Sequence, residues 1–189
     1  MQQSEGKLSN NALTVVALAS EYCRAMELCA STEPAEFVNK MIHLLPRIYM
    51  SVTDVPRPQF NEVADYAFGA AHLEESYYDQ VRRSVAESLG EHDAYLETFH
   101  RDMQYSDTPI AATISEGLAD LFQVLYNFVE DVRAVDFDDV ADHIGALRLD
   151  FSEYWSQTLC NVLRPLNELY QSDALGGDEE SESDEMPFE

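Results

Sequence analysis

From Ser115 to Arg133 the apolar residues Leu118, Leu121, Phe122, Leu125, Phe128, Val129 and Val132 recur at spacings of three and four. That period puts them on one side of an α-helix, as a stripe too wide to leave in water. Two other stretches offer matching stripes: Phe37, Met41, Ile42, Leu45, Ile48, Tyr49 and Val52, and Leu147, Phe151, Trp155, Leu159, Val162, Leu166 and Tyr170. Three such faces bury one another as a bundle. Between Ala12 and Ser172 there are only four glycines, Gly69, Gly90, Gly117 and Gly145, too few for the turns of a sandwich or barrel. The expected fold is all-α, a single multi-helix bundle with mostly antiparallel helices.

Local signals set the expected boundaries. The pattern Val16, Ala19, Cys23, Met26 and Ala30 makes the first helix a structural one, although Lys7 ahead of Leu13 to Leu18 superficially looks like a secretory leader. Val55-Pro56-Arg57-Pro58 cannot continue a helix, because proline lacks an amide proton and pushes its predecessor toward extended geometry. A third helix is expected from about Asn61 to Gly90, and a further one from Glu91 to Tyr105. Thr108 before Pro109 reads as an N-cap with proline at the first helical position, and Asp136 with Asp139 reads as a capping-box variant. Pro46 and Pro165 fall inside strong apolar patterns and predict kinks. From Gly176 the chain carries seven acidic residues and no basic one, which predicts a disordered acidic tail. The expected division is 1–10 flexible N-terminus, 11–172 helical bundle and 173–189 tail.

Charge excludes several partners. The chain has 36 Asp and Glu against 11 Lys and Arg among 189 residues, a net charge of -25 that repels phosphate backbones and anionic lipid surfaces alike. Neither nucleic acid nor membrane is an expected partner. The longest uncharged apolar run, Ala12 to Ser20, has nine residues, whereas a spanning helix needs about 20. With 46% hydrophobic residues the body still has enough apolar surface to fold. Cys23, Cys29 and Cys160 are odd in number and lie on apolar stretches, as expected of reduced core thiols in a cytoplasm.

Two carboxylate patterns bear on chemistry. Glu33 and Glu36, followed by Glu62 and Asp65, have the loose spacing of all-helical nucleoside-triphosphate pyrophosphohydrolases, in which helix-borne acids hold Mg²⁺ over phosphates. Glu97-x-x-His100 has the spacing of a di-iron bundle ligand pair but no second copy. In so acidic a chain, pairs at such spacings arise readily by chance, and an acid beside Pro34 suits a helix start. No Gly-rich phosphate loop, nucleophile elbow or zinc spacing is present in the sequence.

Tyr105-Ser106-Asp107-Thr108-Pro109-Ile110, Ser115-Glu116-Gly117-Leu118-Ala119-Asp120, Tyr126-Asn127-Phe128 and Tyr154-Trp155 together resemble the bacterial domain-of-unknown-function family 5063, from about Leu13 to Tyr170. The resemblance implies an intracellular all-helical domain of no established activity. From the residues themselves, Asp107 and Thr108 are positioned to cap the central helix. Glu116 and Asp120, four apart, project together from its first turns beside Gly117, which lets a backbone or ligand approach. The candidate lining of a site is therefore Tyr105, Asp107, Glu116, Asp120 and Trp155, with no catalytic role and no cofactor assigned. The expected function is a non-catalytic protein-interaction or regulatory module with a protein partner of unknown identity. The alternative is a Mg²⁺-dependent phosphohydrolase using Glu33, Glu36, Glu62 and Asp65 or the Glu116 and Asp120 pair.

Overall fold

The computed structural model describes residues 10–64, 67, 71–97, 110–172 and 174–175, with Glu62 described in its backbone only. Among the described residues six α-helices form the body: α1 (Asn10–Glu27), α2 (Pro34–Thr53), α3 (Glu75–Leu89), α4 (Ile114–Ala134), α5 (Val140–Asp150) and α6 (Ser156–Ser172). A two-stranded antiparallel hairpin, β1 (Ala94–Glu97) and β2 (Ile110–Thr113), is inserted between α3 and α4. Among the described residues no helix is long and apolar enough to cross a membrane.

The apolar stripe of α4 forms the centre of the core. α4 packs against α1, α3 and α6, and α2 closes the other side by packing on α1 and α6. Leu118, Leu121, Phe122, Leu125, Phe128 and Val129 are all buried. Tyr22 of α1, fully buried, donates its hydroxyl to the Leu118 carbonyl at 2.8 Å. A buried phenol needs such a partner, so this bond fixes α1 against the first turns of α4. In the stripes carried by α2 and α6, Ile42 is half-buried and Tyr49 and Tyr170 are exposed, and the other residues are buried. Both helices continue through Pro46 and Pro165 without interruption.

α5 and α6 are joined without a loop. Phe151–Trp155 makes one π-helical turn between them. Arg148 sits on that junction, its Nε donating to the Val55 carbonyl at 3.1 Å and its guanidinium lying 5.7 Å from the centre of the Phe151 ring. The proline linker is thus tied to the bundle. Gly145 lets it come close, since a Cβ there would meet Val63 Cγ2 at 3.2 Å and Pro58 Cγ at 3.4 Å.

The sequence misplaces the region between α3 and α4. The helix expected over Glu91 to Tyr105 is instead a 3₁₀ turn, Gly90–Asp93, followed by β1, with residues 98–109 outside those described. β1 and β2 pair with Ala94 opposite Thr113, Tyr95 opposite Ala112, Leu96 opposite Ala111 and Glu97 opposite Ile110. Pairing between residues this far apart leaves no mark on local periodicity. A helix starting at Pro109 is excluded by β2, and α4 starts at Ile114. The third helix likewise starts at Glu75, behind a separate 3₁₀ turn at Phe60–Glu62, although Gly90 does close it, with φ +54°. A left-handed residue there suits glycine alone. Asp136 leads into a single 3₁₀ turn, Phe137–Asp139, ahead of α5. Cys23 and Cys29 are buried and free, whereas Cys160 is exposed and so is no core thiol.

Truncating Phe122 or Leu125 to Ala is expected to destabilise the fold by about 2–5 kcal/mol, measured by urea denaturation. A near-neutral result would mean that α4 is not the centre of the core.

Candidate functional site

Thr113 is the N-cap of α4. Its hydroxyl oxygen accepts the backbone N–H of Glu116 at 3.3 Å, the first half of a capping box. Beside it stands Asp93, whose carboxyl is buried. One of its carboxylate oxygens accepts the Ser115 N–H at 2.7 Å, and the other accepts the Ser115 hydroxyl at 2.7 Å. An acid at a helix N-terminus is favoured by the unpaired amides and dipole there. The consequence is positional: Asp93 fastens the chain entering β1 to the first turn of α4.

Gly117 sets the other wall. A Cβ at this position would lie 3.4 Å from Val162 Cβ, so α6 reaches the helix backbone itself. Between the hairpin, the first turns of α4, the π turn and the start of α6 remains a cavity of about 650 Å³. Its walls carry Tyr95 and Glu97 from β1, Glu116, Gly117 and Asp120 from α4, Glu153 and Tyr154 from the π turn, and Gln157 and Asn161 from α6. Ile110, Ala111 and Ala112 give it an apolar side.

Four carboxylates thus face one space, and hydrogen bonds aim two of them. Tyr78 donates its hydroxyl to Asp120 Oδ1 at 2.8 Å. Asn161 donates its amide to Glu97, and is itself steadied by the Gln157 amide at 2.7 Å. Burial raises the Asp120 carboxyl above its ordinary value of 3.8, the Tyr78 hydrogen bond works against that rise, and the Glu116 charge adds to it. Burial, with Glu97 and Glu116 nearby, holds the Tyr95 phenol up at about 12. Tyr154 is raised by burial and by Asp120. At neutral pH these tyrosines are therefore uncharged donors, and Tyr154 is exposed whereas Tyr95 packs partly against the core. No Lys, Arg or His is among the described residues lining the cavity, although Arg57 approaches Glu153 at 3.7 Å with both side chains largely exposed.

Of the residues chosen from the sequence, Glu116 and Asp120 line this cavity together. Tyr105 and Asp107 lie outside the described residues, as do Thr108, His100 and Asp65, and the capping role assigned to Asp107 and Thr108 belongs to Thr113. Trp155 is buried in the core against Phe151, ring centres 4.5 Å apart, and does not reach the cavity; its neighbour Tyr154 does. Glu97 lies on a strand, so it shares no helix face with His100. Glu33 is the N-cap residue of α2 and Glu36 lies in its first turn, positions where the dipole alone favours an acid. Of the set Glu33, Glu36, Glu62 and Asp65, only the first two have described side chains. Among the described residues no three His, Cys, Asp or Glu groups come together to hold a metal ion. The sequence reading missed Asp93, Tyr95, Glu97, Glu153 and Asn161. Thr113-x-x-Glu116 was a legible capping signal, whereas nothing local marks Asp93, 22 residues from its partner Ser115.

Among the described residues, fold and cavity define an arrangement of six helices with an acidic, tyrosine-walled cleft under a small hairpin. The chain belongs to DUF5063, a family defined as a domain of unknown function, whose model matches residues 6–172. Its backbone is similar to the crystal structure of protein BF1032 from Bacteroides fragilis, with a TM-score of 0.72 and 25% identity over 85% of this chain and 92% of that one. No curated protein matches the sequence.

Because folding raises the Asp120 pKa, the stability this group contributes is fully present below its unfolded value and is lost as pH rises through its folded value. Asp120→Asn keeps the acceptor for Tyr78 and removes the titration. The wild type is therefore expected to lose melting temperature relative to Asp120→Asn as pH rises above about 3.8. A constant difference between the two across pH 3 to 7 would contradict that assignment.

Proposed function

We propose that this domain is a non-catalytic interaction module of the cytoplasm, and that its cleft receives a lysine side chain from a basic segment of a protein partner. One observation carries the reading: carboxylates from three separate elements, β1 (Glu97), α4 (Glu116 and Asp120) and the π turn (Glu153), converge on a single cavity with tyrosine walls. Several acceptors on the walls of one cavity suit an ammonium group, which presents three donors, and the tyrosine faces add cation–π attraction. The volume of about 650 Å³ is within the usual range for a binding cleft. A net charge of -25 adds long-range steering of a basic partner. The buried free thiols Cys23 and Cys29 are compatible with a reducing compartment.

Titration calorimetry with a short lysine-rich peptide tests this. Charge-assisted hydrogen bonds contribute about 1.5–3 kcal/mol each, so Glu116→Gln with Asp120→Asn is expected to weaken binding by at least about tenfold. The double variant removes two of 36 acidic groups, so diffuse attraction to the whole acidic surface would barely change. Equal binding by wild type and double variant, or equal binding of a glutamate-rich peptide, would refute the reading.

A further inference from the structure

A second cavity, of about 400 Å³, lies across Tyr154 from the first, enclosed by α4, α5 and the π turn. Its floor is apolar, with Val124, Phe128 and Leu147, and the exposed Tyr154 ring is its shared wall with the acidic cleft. Two carboxylates reach it, and they differ in what already holds them. Asp131 is taken up inside the protein: its Oδ1 lies 2.7 Å from His72 Nε2, and its Oδ2 lies 3.9 Å from Nδ1 of buried His143. The neighbouring Asn127 accepts the backbone N–H groups of His72 and Leu73, both at 2.9 Å, so the chain entering α3 is clipped along this face of α4. Asp150 is different. It lines the cavity and makes no hydrogen bond or ion pair with a described residue.

We propose that this second cavity is a guanidinium subsite, which takes an arginine side chain stacked on Tyr154 and forked onto Asp150. The choice of arginine over lysine follows from the acceptors. One uncommitted carboxylate matches the planar fork of a guanidinium through two parallel hydrogen bonds, a geometry that the single point charge of an ammonium cannot present. The flat, weakly hydrated guanidinium also gains by stacking on an open aromatic ring. Gln123, on the same wall, adds an amide oxygen that can accept a remaining N–H. The two cavities then read a lysine and an arginine on either side of one tyrosine. The identity of the arginine as part of a protein segment rests on the proposed function, but the subsite itself does not.

The test is a ¹H–¹⁵N NMR titration of the full chain with Nα-acetylarginine methylamide and, separately, with its lysine counterpart. The arginine compound is expected to shift the amide signals of Asn127, Asp131, Asp150 and Tyr154, and to bind there at least about tenfold more tightly than the lysine compound. Asp150→Asn should weaken it about tenfold; Tyr154→Leu should weaken it and Tyr154→Phe should restore it. Equal binding of the two compounds, shifts confined to the first cavity, no binding at all, or undiminished binding by Asp150→Asn would each overturn the proposal. If the arginine compound binds here while the lysine-rich peptide fails at Glu116 and Asp120, the interaction reading falls and the guanidinium subsite stands. The reverse pattern removes the subsite alone.

Discussion

The site depends on one buried carboxylate. An isolated two-stranded hairpin is marginal in water, having neither enough hydrogen bonds nor enough buried surface to stay formed. β1 and β2 are such a hairpin, yet they provide a whole wall of the acidic cleft. Asp93 holds that wall in place by binding the amide and hydroxyl of Ser115 at once, while Thr113 caps the next amide. The helix N-terminus it faces favours an acid, and the helix in turn has an otherwise unpaired amide satisfied. Hairpin and helix are thus each completed by the other.

On the opposite wall the decisive feature is a change of helical phase. A π turn inserts one extra residue into a helix, and such turns are enriched at functional sites. Here it leaves Phe151 and Trp155 stacked in the core and rotates Glu153 and Tyr154 outward, where Tyr154 divides two cavities. Gly117 complements it. By letting Val162 approach the α4 backbone, it draws α6 in so that Asn161 can reach Glu97 across the cleft.

The core was legible because it is written in one variable, apolar spacing, and the same period that places Phe122 and Leu125 on a stripe buries them. Glu116, Gly117 and Asp120 were legible for a related reason, as polar and small residues interrupting a strong amphipathic helix near its start. Trp155 stands in the apolar stripe with Phe151 and Leu159, which already marks it as core, so only the Tyr154-Trp155 block pointed to it as a site residue, and of that pair the π turn leaves Tyr154 at the cleft. The hairpin lies where the pattern predicts helix because Ser106-Asp107-Thr108-Pro109 has the composition of a helix start as much as of a turn, and the pairing of Tyr95 with Ala112 across it is not local. Asp93 was invisible for the deepest reason: a buried acid is indistinguishable from 35 others until the fold brings Ser115 to it.

Native-state hydrogen exchange on the Asp93→Asn variant tests the dependence of the cleft on this clamp most directly, because exchange resolves local opening from global unfolding. The account predicts that the amides of Ser115, Tyr95 and Ala112 lose protection while those of Phe122 and Leu125 in the middle of α4 keep theirs. Unchanged protection across the hairpin, or a loss spread evenly through the bundle, would contradict it.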